Sequence, residues 1–140
     1  MKIKRLNDAA KVAHKDAKDK GFYDKPIELG TRLMLVNSEL VEALEADRKC
    51  NHANVANFKN TIKSASKYML SDKNKHMFKE SEPFKQSFEE HIKDTFEDEI
   101  ADTFIRLLDL VGYMDIDIEW HIEQKMKYNK LREKLNGKKY

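Results

Sequence analysis

Two pairs of acidic residues stand three positions apart: Glu39 with Glu42, followed one turn later by Glu45, and Glu99 with Asp102. Side chains at i and i+3 of a helix share a face, so each pair sets two carboxylates side by side. On a solvated helix such a pair costs only about 0.2–0.5 kcal/mol and reads as plain surface. The second pair has different neighbours. Ile100, Phe104, Ile105, Leu107, Leu108, Leu110 and Val111 point in nearly every helical direction, which leaves the two acids a narrow arc shared with Arg106. If both helices pack together, four carboxylates meet, and two unit charges about 4 Å apart repel by about 4 kcal/mol at an effective dielectric of roughly 20. Arg106 can supply the counter-charge, and so can a hard divalent cation such as Mg²⁺, which takes oxygen ligands. A di-iron site calls for Glu-x-x-His, and none of His14, His52, His76, His91 or His121 has a Glu three positions before it.

Further along, Lys125, Asn129 and Arg132 fall at i, i+4 and i+7, beside the apolar positions Ile118, Ile122 and Met126. Alone, the stripe is a solvated basic face near a helix C-terminus, where cations are favourable. Joined to an acidic metal site it fits a polyphosphate, because a metal ion bridges phosphate to carboxylate while Lys and Arg meet the remaining oxygens.

The elements that must position these groups are helices. Leu6 to Lys20 predicts a first helix capped by Asn7 or Asp8 and stopped at Gly21. Phe22 to Pro26 reads as a connector, with Pro26 in the first turn of a second helix that runs to about Arg48. Leu29, Leu33, Val36, Leu40, Ala43 and Leu44 share one side of that helix and are expected to face the core, with the carboxylates elsewhere. From Lys49 to about Lys85 the pattern weakens into Asn, Ser and Lys, although Val55 to Leu70 supports a helix through Phe58, Ile62, Ala65 and Met69. A strong helical signal then runs from about Ser87 to Met114, with Gly112 near its last turn. Asp115 or Asp117 caps a final helix through Leu135, and residues 136–140 read as a flexible tail.

The 140 residues suit one domain, residues 1–140, and four Gly with two Pro are too few turn residues for a many-stranded sandwich or barrel. The expected class is all-α. Charged residues at 37% and hydrophobic ones at 40% exclude a disordered tail and a membrane protein. Net charge is +2, too weak a field to suggest nucleic acid or an anionic membrane. The row Lys59, Lys63 and Lys67 reads as a solvated face, lacking the basic-aromatic interleaving of a nucleic-acid groove. Cys50 is the single cysteine, without a zinc cluster, and reads as a buried thiol or an inert surface one; no signal-like or spanning run appears, so a soluble cytoplasmic protein is expected.

Three blocks then carry a resemblance: Ser38-Glu39-Leu40-Val41-Glu42-Ala43-Leu44-Glu45, Glu99-Ile100-Ala101-Asp102, and Lys125 to Arg132. Together with Gly21-Phe22-Tyr23-Asp24 and the phrase Ile105 to Leu110, they resemble the MazG-like all-α nucleoside triphosphate pyrophosphohydrolases, whose signature is Glu-x-x-Glu followed downstream by Glu-x-x-Asp. The gap between Glu42 and Glu99 is longer than that family usually shows, so about 49–85 resembles an insertion between the two acidic helices. The resemblance implies a helical bundle that assembles as a homodimer or homotetramer. It also implies Mg²⁺, for which Mn²⁺ can substitute, held by Glu39, Glu42, Glu99 and Asp102, and a (d)NTP cut to (d)NMP and pyrophosphate. Lys125, Asn129 and Arg132 would then bind the phosphates, one of the four acids or Glu45 would act as base, and Phe22 or Tyr23 would stack on the nucleobase or plug the packing. The competing expectation is a non-catalytic helical module that binds a nucleotide or a protein without turnover. In either case the thin apolar face of the first helix and the nearly all-round apolar helix near Phe104 suggest an assembly of at least two chains.

Overall fold

A computed structural model of the protein describes residues 5–69 and 81–132. Among them all regular structure is helical: α1 (Leu6–Asp19), α2 (Leu29–Arg48), α3 (Val55–Met69), α4 (Ser81–His91), α5 (Phe96–Tyr113) and α6 (Ile118–Leu131). The all-α expectation holds. The chain groups into two units, one made from the residues up to Met34 and from Phe104 onward, the other from Leu35–Thr103.

In the first unit, α1 and α6 cap each other. The Asn7 backbone N–H, an orphan donor in the first turn of α1, donates to Glu119 Oε1 at 3.2 Å, and the Glu119 N–H donates to Asn7 Oδ1 at 3.4 Å. Asn7 Nδ2 also donates to Asp117 Oδ1 at 2.8 Å. Asn7 is therefore a tertiary link rather than the expected local cap; the residue ahead of α1 is Arg5, left-handed at φ 79° and without a side-chain cap bond. Asp117 does cap α6, accepting from the Trp120 N–H at 3.2 Å. Gly112 lets α5 approach α1, since a Cβ there would stand 2.4 Å from the Ala10 carbonyl oxygen. The stop at Gly21 is also borne out: at φ 82° it completes a Schellman turn, with Phe22 N donating to Ala17 O and Gly21 N to Lys18 O.

The same turn ends α2 and α5 without glycine. Asn51 N donates to Ala46 O around Cys50 at φ 52°, and Ile116 N donates to Val111 O around Asp115 at φ 49°. Cys50 is exposed, which decides for a surface thiol over a buried one. Pro26 does not enter α2, which begins three residues later with Arg32 N bonded to Glu28 O. The final helix stops at Leu131 rather than Leu135, its last cap residue Arg132 being extended. The predicted tail, 136–140, lies outside the described residues.

In the second unit, α3 packs on α4 through Phe58, Phe84 and Phe88, whose ring centres lie 5.6–6.3 Å apart. Ile62 and Ala65 continue the half-buried face of α3 as expected, while Met69 falls where side chains are not described. Much of 49–85 is thus helical, residues 70–80 lying outside the described chain. One long helix from Ser87 to Met114 was expected, but the chain breaks between His91 and Phe96, where Asp94 takes φ 58°. Thr95 restarts it: its Oγ1 accepts from the Asp98 N–H at 3.4 Å while Asp98 Oδ2 accepts from the Asp94 N–H at 3.1 Å. Thr95-x-x-Asp98 resembles a capping box, with the carboxylate accepting from the residue before the cap, and it interrupts the apolar run that spans it. The break is tied to the connector after α2 by Phe96 N to Asn51 O, Asn54 N to His91 O, and Ala53 N to Glu97 Oε2, all 2.9–3.0 Å.

Candidate metal centre

The faces of α2 and α5 that turn inward are not the leucine faces. On α2 the buried residues are Val36, Glu39, Ala43 and Ala46, spaced i, i+3, i+7 and i+10, whereas Leu29, Leu33, Leu40 and Leu44 are exposed. On α5 and its cap they are Thr95, Glu99 and Thr103, while Phe104 and Ile105 are 61% and 53% exposed. Of the stripe expected to face the core, Val36 and Ala43 are buried as expected, but its four leucines are exposed and Glu39 lies on the buried face rather than off it; the expectation that little of α5 faces water is not met in the single chain. Small side chains accompany the acids on these buried faces, and most of the bulky ones are left outward.

Glu39 and Glu99 consequently sit inside, 5% and 6% exposed, and Glu42 at their edge. One carboxylate oxygen from each of the three lies within 4.8 Å of the others. The geometry is fixed locally: Glu99 N donates to Thr95 O at 3.0 Å, and Thr103 Oγ1 donates to Glu99 O at 3.0 Å, so the first turns of α5 are pinned on both sides of the acid. Burial is the main cause that pushes the Glu99 carboxyl up to about 7, and the charges of Glu42, Glu39, Asp102 and Asp98 push it the same way. The cluster thus holds more negative charge than a half-buried site accommodates, which is the condition a bound cation or a proton relieves.

Three of the four predicted ligands are brought together in this way. Asp102 is exposed one turn along α5 and contributes to the field at Glu99. Asp98, directly before Glu99, contributes too, and nothing in the sequence beyond that adjacency distinguishes it from other surface acids. Glu45 is exposed and paired with Lys49 at 3.7 Å.

The remaining predicted residues belong to the first unit. Lys125, Asn129 and Arg132 are exposed, and the two cations flank the Tyr128 ring at 5.2 and 6.0 Å. Phe22 is exposed, whereas Tyr23 is packed: its ring touches His14 and Arg32, and its hydroxyl donates to Asp109 Oδ1 at 2.7 Å. Arg106 is half-buried on α5.

No protein-family model, curated protein or solved structure matches the chain. No helix of the described residues is long and apolar enough to cross a membrane.

Proposed function

We propose that the protein is a Mg²⁺-dependent nucleoside triphosphate pyrophosphohydrolase that cleaves a (d)NTP to (d)NMP and pyrophosphate. The observation that carries this reading is the convergence of Glu39, Glu42 and Glu99 from two helices into one oxygen-only cluster. The donor set fits Mg²⁺ chemically, since carboxylate oxygens are its preferred protein ligands and it retains several waters of its own. Glu39, Glu42 and Glu99 would hold the ion, with Asp102 beside them. A bound Mg²⁺ supplies a polarised phosphate and a more acidic water.

In this reading the chain's own residues position charge. Lys125 and Arg132 offset the charge that grows on the phosphate oxygens as water attacks the α-phosphorus and pyrophosphate leaves, and Asn129 donates a hydrogen bond to them. A carboxylate of the acidic group accepts the proton of the attacking water. The exposed apolar side chains of α2 and α5 belong to the same reading, as the surface that a homodimer or homotetramer covers. A cytoplasmic location, where the nucleotide substrates are found, accompanies it.

The test is a pyrophosphate-release assay over the common NTPs and dNTPs, with Mg²⁺ and with chelator. Release of pyrophosphate and monophosphate that requires the metal supports the reading. Tight nucleotide binding with the triphosphate left intact would replace it with a binding module.

A further inference from the structure

Carboxylates that hold a metal ion meet the phosphates of a nucleotide and leave its base without a partner. Aromatic side chains are the groups able to meet a base, because every base offers a π-face for stacking. The two aromatics ahead of α2 differ in this respect. Tyr23 is engaged within the chain: its hydroxyl donates to Asp109 Oδ1, the Arg32 guanidinium carbon lies 4.1 Å from its ring centre, and the Tyr113 ring stands 5.3 Å away. Phe22 is exposed, but the ring–cation contacts of the described residues fall on Tyr23, Tyr113 and Tyr128. Tyr128 joins both properties, an open ring and cations beside it.

Its helix, α6, is tied to α1 at the N-terminal end, where Asn7 bonds to Asp117 and Glu119. From Lys125 to Arg132 every residue is exposed, and Tyr128 is 57% exposed. Lys125 stands three positions before the ring and Arg132 four positions after it, spacings that share its face of the helix. The Lys125 ammonium nitrogen lies 5.2 Å from the ring centre and the Arg132 guanidinium carbon 6.0 Å. Residues 124–132 carry Lys125, Lys127, Lys130 and Arg132 and no acid, so the local field is positive although the net charge of the chain is only +2. Such a field draws in a polyphosphate. The two flexible cations then pass from the ring to phosphate oxygens, because a cation over an exposed ring is held more weakly than one bonded to phosphate. The ring face they leave is open to a flat group carried by the same ligand, and in a nucleotide that group is the base, one sugar away from the first phosphate.

We propose that Tyr128 is a base-binding residue: the nucleobase stacks on its ring while Lys125 and Arg132 turn to the phosphates. The inference rests on the assignment of Lys125 and Arg132 to the phosphates of the substrate. A stack reads the π-face of a base and none of its hydrogen-bonding edge, so Tyr128 adds affinity for nucleotides over bare polyphosphates without choosing among the bases. Phenylalanine serves equally in such a stack. Leucine, apolar but without a π-system, does not.

The test compares two ligands that differ in the nucleoside, inorganic tripolyphosphate and a non-hydrolysable nucleoside triphosphate, each bound by the full chain with Mg²⁺ in a calorimeter. Tyr128→Leu should weaken nucleotide binding by about tenfold and leave tripolyphosphate binding unchanged, and Tyr128→Phe should keep the parent value for both. In the unaltered protein, the Tyr128 ring protons should show saturable NMR shifts with the nucleotide that tripolyphosphate does not reproduce, which keeps the test decisive if Tyr128→Leu does not fold. Equal nucleotide affinity in Tyr128→Leu, an equal loss for both ligands, or ring protons that the nucleotide leaves unmoved overturns the proposal. The proposed reaction is judged separately. Pyrophosphate release with unchanged KM in Tyr128→Leu removes the base site alone, whereas stacking on Tyr128 without pyrophosphate release removes the reaction alone.

Discussion

Glu39 of α2 and Glu99 of α5 bring carboxylate oxygens within 4.8 Å of each other, with each residue at least nine-tenths enclosed. Burial, reinforced by the neighbouring carboxylates, favours the protonated form of Glu99 and displaces it to about 7. Its folded value exceeds its ordinary value of 4.5, so the folded chain binds this proton more tightly than the unfolded chain does. The contribution to stability is therefore greatest at low pH and declines as pH rises from about 4.5 to about 7. Glu99→Gln should flatten that decline in metal-free protein and raise the melting temperature above pH 7, with helix content by circular dichroism unchanged and pyrophosphate release abolished. A lower melting temperature for the variant at every pH would show that the carboxylate is structural.

Mg²⁺ competes with the proton for the same oxygens. Its thermal stabilisation of the protein should be marked above pH 7 and fade as pH falls below the Glu99 value of about 7. Glu39→Gln should remove most of this effect, and Asp102→Asn should abolish turnover while preserving the fold. Calorimetric unfolding with and without metal at the two pH extremes measures it; a melting temperature indifferent to Mg²⁺ at both would remove the metal from the account.

At Gly112 the constraint is steric. An added Cβ would meet the Ala10 carbonyl oxygen at 2.4 Å and His14 Cβ at 2.7 Å, so α1 must move. Gly112→Ala should destabilise the protein by about 1–3 kcal/mol despite its better helix propensity. Denaturant titration gives the value, and a neutral result would mean that α1 yields readily.

Thr95 both accepts from the Asp98 N–H and donates to Ile92 O at 2.6 Å, one turn before Glu99. Thr95→Ala should cost about 1 kcal/mol, the usual loss of an N-cap. Because the cap fixes the first turns of α5, metal affinity should fall with it. Full metal affinity in the variant would separate the cap from the site.

Leu40, Val41 and Leu44 are between 46% and 49% exposed on α2, a strip of bulky side chains that a single chain leaves in water. Light scattering should report a mass of two or four chains, and Leu40→Glu should reduce it towards one. A monomeric parent protein would refute the assembly.

The helical kind of the elements was legible, though not their number, because helix periodicity and the shortage of Gly and Pro are properties of local sequence. The stop at Gly21 was legible for the same reason, since glycine tolerates φ 82°. The equivalent stops at Cys50 and Asp115 carry no glycine, and the break before Phe96 was hidden by apolar residues on both sides. The acidic residues were legible as types at a spacing. Their burial was not.

The sequence by itself determined that this is an all-helical chain with two acidic turns and a basic one. Only the tertiary structure decided which face of α2 and α5 turns inward. Periodicity ranks faces by apolar content, whereas close packing depends on the size and shape of the side chains that meet, and here the small residues Ala43, Ala46 and Thr103 are buried on the same faces as Glu39 and Glu99.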